Sequence, residues 1–261
     1  MRSQRLSGPR PKTVTGVLRD VFALQAQDTR ASRLAVRPRS EGLDAQAVIQ
    51  ACNQDRTVVR TWAMRGTLHM LPAEDVGWLV GLLGPALAAG DWRRRLQLGL
   101  DDHLLERAIP AIRSALAANG PLTRAELLAK LAQKRVTVDP KTNAAAHLCF
   151  SAAARGLICR GPDRADDEPT YVLLDDWVTR RMRSPKDPLG ELASRYLGAY
   201  GPASVPDFAA WAGIPMAAAR LGLERIRARL IEVEVSGKPA WMLAGTDRTA
   251  SVSRPGVRLL G

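Results

Sequence analysis

The sequence predicts a mainly α-helical chain carrying short β-hairpins, built from three units of one kind. Three observations predict it. Apolar residues recur at helical spacing in two or three successive runs, and each set is closed by a pair of β-rich stretches around a turn. That order repeats along the 261 residues. The segment AANGPLTRAELL (117–128) is echoed by GAYGPASVPDFA (198–209), at the same place in two of the sets. Helices followed by a hairpin make a winged helix, a variant of the helix-turn-helix, so the expected architecture is tandem winged-helix.

Each element has a local reason. In the first unit KTVTGVLRDVFAL and LDAQAVIQACNQ are periodic, the second following a glycine turn and Asp44. TVVRTWAM (57–64) is β-branched and aromatic, Arg65-Gly66 makes the turn, and TLHML (67–71) returns. Pro72 opens a further helix with Glu74 and Asp75 in its first turn, where the helix dipole favours acids. In the second unit HLLERAIPAIRSALAANG stops at Asn119-Gly120, and Thr123 with Glu126 forms a capping box for LTRAELLAKLAQ. NAAAHLCFSAAARG is a third helix, ended by Gly156, and LICRGPDRADDEPTYVLL reads as two strands around a polar tip. The third unit gives three more helices, then IEVEV, a Gly-Lys turn and AWMLA. The expected units are 1–91, 92–180 and 181–250, joined by GDWRRRLQLGLDD and DDWVTRRMRSPKDPL.

Composition narrows the function. The formal charge is +12 and the pI about 10.5, a balance that favours a polyanionic partner, above all nucleic acid. Arginine supplies most of the charge, and its planar fork suits phosphate. No run of eighteen apolar residues appears, and MRSQRLSGPRPK lacks the apolar stretch of a secretory signal, so a cytoplasmic, nucleoid-associated monomer with no membrane partner is expected. Cys52, Cys149 and Cys159 read as reduced, mostly buried thiols, and His69, His103 and His147 are too scattered for a zinc site. There is no Walker loop and no GxGxxG, which argues against a nucleotide cofactor. The third helix of the second unit is mostly small and apolar, and its counterpart in the third unit carries its arginines late. Neither suits base reading, so contact with the DNA backbone is better supported than operator recognition.

The stretch RDVFALQAQD raises the chemical question, because an amphipathic helix arrives at two glutamines separated by one residue. On a helix Gln25 and Gln27 would diverge; on an extended segment they would point the same way. For both to act on one target the helix must end near Leu24. The run DTRASR fits, since Asp28, Thr29 and Ser32 favour caps and turns.

LQAQ (24–27) and VVRTWAMRGTLHMLPAEDVGWL (58–79), with the three-unit order around them, resemble the AlkZ/YcaQ-like winged-helix DNA glycosylases of bacteria. Arg60, Trp62, Met64-Arg65-Gly66-Thr67, His69 and Asp75 sit as in that family, and the resemblance spans essentially the whole chain. Gln25-Ala26-Gln27 places it with the AlkZ-like members, which carry Gln-x-Gln, rather than the YcaQ-like members, which carry Gln-x-Asp. The resemblance implies removal of bulky N7-alkylated purines, interstrand crosslinks included, from double-stranded DNA, with no metal and no redox cofactor. RPGVRLLG, within 251–261, is similar to the family's lead into a C-terminal β-barrel, and the expected organisation is three units and this lead-in, with the barrel absent.

Such an enzyme breaks an N-glycosidic bond through an oxocarbenium-like transition state with water as nucleophile. An amide is a poor base, but an N7-alkylguanine is already cationic and leaves readily. What remains is positioning: two amide oxygens can accept from one water and hold it near C1′, and orientation alone is worth several kcal/mol. Gln25 and Gln27 are therefore the expected catalytic pair, the bland reading being two exposed helix residues. Asp28 is the second candidate to activate water, although an Asp after a helix is more often a cap or a salt-bridge partner. His69 either bonds within its own unit or orders the water or a phosphate. Arg60 and Arg65 are phosphate ligands or ion-pair partners of acids such as Glu74 and Asp75. Arg30, Arg33, Arg37 and Arg39 follow the glutamines and suit an incoming DNA backbone, as do Arg93, Arg94 and Arg95; the alternative for both clusters is a solvated basic surface. The six tryptophans are expected mostly in cores, and none is identifiable from sequence as a stacking platform. A non-catalytic winged-helix DNA-binding or regulatory protein is the main alternative, and a protein-interaction module the third.

Overall fold

The structure is a computed structural model describing residues 2–139, 141–179 and 181–246. The expected lead-in at 251–261 lies outside the described residues. The architecture is mostly helical with a small antiparallel sheet.

Helix α1 (Val14–Val21) begins at Thr13, whose side chain accepts from the Gly16 amide, and stops abruptly. Phe22 and Ala23 take left-handed backbone angles, φ 48° and 76°. That conformation costs roughly 1–2 kcal/mol per residue without glycine. Burial of the whole Phe22 side chain, stacked 6.1 Å from Trp78 and tilted against Trp211 at 5.9 Å, returns about 1.5–3 kcal/mol. The bend is thereby held, and it delivers the chain into the short strand β1 (Leu24–Gln25). The helix ends three residues before Leu24, as two convergent glutamines require.

Asp28 then caps a helix that the sequence had suggested was a turn, α2 (Thr29–Val36). Thr29 and Ser32, poor formers by propensity, sit inside it because Ser32 is buried and its hydroxyl donates to the Thr29 carbonyl. Helix α3 (Ala45–Asn53), capped by Asp44, precedes the hairpin β2 (Val58–Trp62) and β3 (Leu68–Pro72), whose tip turns at Arg65 and Gly66 with positive φ. Apolar α4 (Val76–Gly90) follows, and the stretch read as a joining segment forms the short helix α5 (Trp92–Gln97).

The second set comprises α6 (Asp102–Asn119), β4 (Leu122–Thr123), α7 (Arg124–Gln133) with both arms of its capping box in place, α8 (Ala144–Ala154), β5 (Ile158–Arg160) and β6 (Thr170–Leu173). Helix α8 buries eight of its eleven residues, so it is not free to enter a groove. After α9 (Leu174–Trp177) come α10 (Pro188–Tyr200), α11 (Val205–Ala212), α12 (Met216–Arg225) and the hairpin β7 (Leu230–Val235) with β8 (Lys238–Leu243).

The hairpins of the first two sets are not separate. They join edge to edge into one six-stranded antiparallel sheet of order β1-β3-β2-β5-β6-β4, through the pair Arg60 and Arg160. β7 and β8 form a sheet of their own. The largest core runs from Phe22 to Ile226 and draws on all three sets. At its edge Asp75, with no exposed surface, accepts from Trp78 Nε1 at 2.9 Å and from Arg183 and Arg195 at 2.9 and 3.4 Å. A buried carboxylate is tolerable only when satisfied in this way, and the cluster ties the start of α4 to α10. Asp75 thus pairs with these two arginines, and Glu74 with Arg19, rather than with Arg60 or Arg65.

Candidate active site

β1 is an edge strand of the sheet, paired only with β3: Leu24 opposes Met70 and Gln25 opposes His69. The ladder continues one residue further, where the Ala26 amide donates to the Leu68 carbonyl at 2.7 Å. Strand alternation does the rest. Leu24 and Ala26 are buried against α1 and α2, while Gln25 and Gln27 are both exposed on the opposite side. The Gln25 side-chain amide donates to the Gln27 side-chain oxygen. Each amide oxygen keeps at least one free lone pair, so the bond fixes the separation of two acceptors without consuming them.

Asp28 accepts from the Ala31 amide at 2.8 Å and is the cap of α2, committed to the backbone. His69 faces Gln25 across the ladder and is buried; its Nδ1 donates to the Thr67 carbonyl at 2.9 Å. Burial pushes its pKa down to about 4, with the Arg65 charge adding to the fall, so the imidazole is neutral around pH 7 and Nε2 is an acceptor. Because the unfolded chain takes up this proton near 6.5 and the folded chain only near 4, stability is full above pH 6.5 and is lost as pH falls towards 4. The expected loss is about 3 kcal/mol. Urea midpoints across that window are expected to flatten in His69→Gln; an unchanged slope would contradict the assignment.

The arginines divide into two groups that the sequence does not distinguish, with Arg33 of intermediate exposure between them. Arg30, Arg37, Arg65, Arg93 and Arg94 are exposed. Arg37 and Arg93 make no side-chain hydrogen bond or ion pair with the described residues, Arg94 bonds only Gln97, and Arg65 donates to the Trp211 carbonyl at 2.6 Å. Arg39, Arg60 and Arg95 are buried, which withdraws them from any surface DNA reaches. Arg39 donates to the Ala35 carbonyl, and burial lowers its pKa. Arg95 bonds the Leu100 carbonyl and Asp102. Arg60 is held by both oxygens of Asp163, at 2.6 and 2.9 Å, and by the Gly161 carbonyl at 2.6 Å.

Asp163 and Asp167, at the tip of the β5–β6 hairpin, are the residues sequence reasoning missed. Asp167 pairs with Arg30 at 2.9 Å and Arg33 at 2.8 Å, and Asp163 also reaches Arg33 at 3.3 Å. The run of acids in PDRADDEP was the available signal, but nothing local says where it folds. The basic segment after the glutamines is therefore partly neutralised by the second set, and α2 is clamped to it. All three cysteines are buried, and burial pushes the thiols of Cys52 and Cys149 up to about 11. Trp78 and Trp177 are core residues, whereas Trp92 is half exposed beside Arg93. No described helix is long and apolar enough to cross a membrane.

Residues 18–261 match the family described as DNA glycosylase AlkZ-like. A curated relative, the interstrand DNA cross-link repair glycosylase of Streptomyces sahachiroi, is 27% identical over 276 residues, covering all of this chain and 72% of its own. The solved structure of Streptomyces sahachiroi DNA glycosylase AlkZ superposes with a TM-score of 0.77 at 24% identity, covering 94% of this chain and 67% of that one, a likeness of fold.

Proposed function

The chain belongs to the AlkZ-like family of DNA glycosylases, and from that premise we propose that it hydrolyses the N-glycosidic bond of bulky N7-alkylated purines in duplex DNA, crosslinked purines among them. The observation that carries this reading is the contact between the Gln25 and Gln27 amides on an exposed extended segment. Their oxygens accept the two hydrogens of one water and aim its lone pair at C1′, on the sugar face opposite the departing base. As the C1′–N9 bond breaks, its electron pair neutralises the positive charge that N7 alkylation places on the ring. The water oxygen bonds C1′ and its proton passes to solvent. A neutral His69 suits this site, because it adds an acceptor without placing a second positive charge beside a developing oxocarbenium ion. Water as nucleophile leaves an abasic site in an unbroken strand, so the activity is monofunctional, and a base that is already cationic departs without a metal to polarise it.

We read the three sets of helices and hairpin as winged helices that cradle the duplex, with Arg30, Arg37, Arg65, Arg93 and Arg94 as the exposed phosphate contacts. Backbone contact of this kind is salt-dependent and sequence-independent. The relative named for interstrand cross-link repair supports extending the substrate to crosslinks.

The test is single-turnover release of N7-methylguanine from duplex DNA by the intact chain, with DNA affinity measured over a salt series in parallel. Release that collapses in Gln25→Ala and Gln27→Ala while affinity holds is the expected result. Salt-sensitive binding with no base release from any alkylated duplex would leave a winged-helix DNA-binding protein without catalysis.

A further inference from the structure

At the tip of the β2–β3 hairpin lies a cavity of about 500 Å³, within the size range of small-molecule sites. Its wall includes Trp62 and Phe150, whose rings meet edge to face at 6.2 Å. Gly66 and other small residues form much of the remaining lining, which leaves room for a flat group against the aromatic wall. Three polar side chains complete it, His147, Asp91 and Arg65. His147 donates from Nδ1 to Asp91 at 2.8 Å, and the Asp91 side chain is largely buried, so the ring is fixed and, in the neutral imidazole, Nε2 is an acceptor. Arg65 supplies a donor, since only its Nη1 is engaged by the Trp211 carbonyl.

We propose that this cavity binds a guanine-type base in the angle between Trp62 and Phe150, its face on one ring and its edge against the other, with its N1–H donated to His147 Nε2 and its O6 accepting from Arg65. Aromatic stacking joined to hydrogen bonds along the Watson–Crick edge is how enzymes acting on bases hold one outside the helix. An acceptor beside a donor matches the N1–H and O6 of guanine, whereas adenine carries its amino group and N1 in the reverse order and must turn over to meet the same pair. The N7 side is not used, so an alkyl group there is accommodated. The position fits as well. Continuing the β1–β3 register sets Gln27 opposite Thr67, and Gly66 is the next residue along the hairpin. The cavity thus lies at the turn that closes the hairpin, no more than about 10 Å along the chain from the His69 rung. The inference rests on the proposed glycosylase activity only for where the base comes from: either the base just released, or a guanine everted from the duplex.

Neither arm of the test requires catalysis, so it stands apart from the base-release assay. In the first, equilibrium dialysis measures free 7-methylguanine and free adenine against the intact chain, His147→Ala, and Ala146→Leu, which fills the cavity without touching the polar pair. In the second, a fluorescent guanine analogue is placed at successive positions around an uncleavable lesion analogue in duplex DNA. Saturable 7-methylguanine binding, at least tenfold tighter than adenine and at least tenfold weaker in both variants, assigns the cavity to the released base. No free-base binding, with unstacking of the duplex-borne analogue that both variants abolish, assigns it to an everted one. Failure of both arms, or binding that neither variant alters, overturns the proposal.

Discussion

Gln25→Ala and Gln27→Ala are each expected to slow single-turnover base release by roughly 10²-fold, the cost of misplacing one reactant by about an ångström. The double variant is expected to be scarcely slower than either single one. The amides contact each other, so removing one releases the other from its fixed position, and groups that act as a unit give strongly non-additive losses. Two independent contributions would instead multiply to about 10⁴. Binding of the alkylated duplex is expected to change little, because neither amide carries charge and the backbone contact is proposed to come from the exposed arginines. Additive losses would assign the two glutamines separate tasks. Unchanged release in both single variants would remove them from the mechanism.

What ends the helix before the glutamines was not legible in the sequence: the break is the left-handed pair Phe22 and Ala23, held by burial of Phe22, while Thr29 and Ser32, read as favouring turns, sit inside α2. That a two-residue spacing converges only on extended chain was legible, because the information is local. The hairpin turn at Arg65-Gly66 and the capping box at Thr123 were legible for the same reason. The helix from Thr29 was not, because burial of Ser32 overrides its propensity, and burial is a property of the whole fold. Nor was the joining of two hairpins into one sheet, which depends on Arg60 lying beside Arg160, a hundred residues away. The arginines show the limit most plainly. Arg37 and Arg39 are two residues apart in one basic run, yet one is exposed and the other is inside; Arg94 and Arg95 are adjacent and divide likewise. Charge can be counted from sequence, but which charges a phosphate can touch is decided by packing.

That division leads to the largest expected effect on stability. Asp163→Ala is expected to destabilise the fold by about 3–5 kcal/mol, since it strips the partner from a guanidinium that cannot regain water. Both side chains are nearly inaccessible, 8% for Arg60 and 6% for Asp163, so solvent screening does little to soften the loss. At this chain length the melting temperature is expected to fall by roughly 10 °C. The companion experiment separates the pair from its volume: Arg60→Met with Asp163→Leu removes both charges, fills the space with apolar side chains, and is expected to recover most of the stability. Activity is expected to follow a different course. Asp163 also holds Arg33 on α2, and α2 begins at the Asp28 cap directly after Gln27, so the charge-free pair keeps the sheet but loosens the helix that orients the amide. The double variant should therefore melt near the wild-type temperature and still release base more slowly, with the deficit confined to the chemical step. Full activity in that variant would show that Asp167 alone holds α2 through Arg30 and Arg33, and Asp167→Ala added to it would then produce the loss.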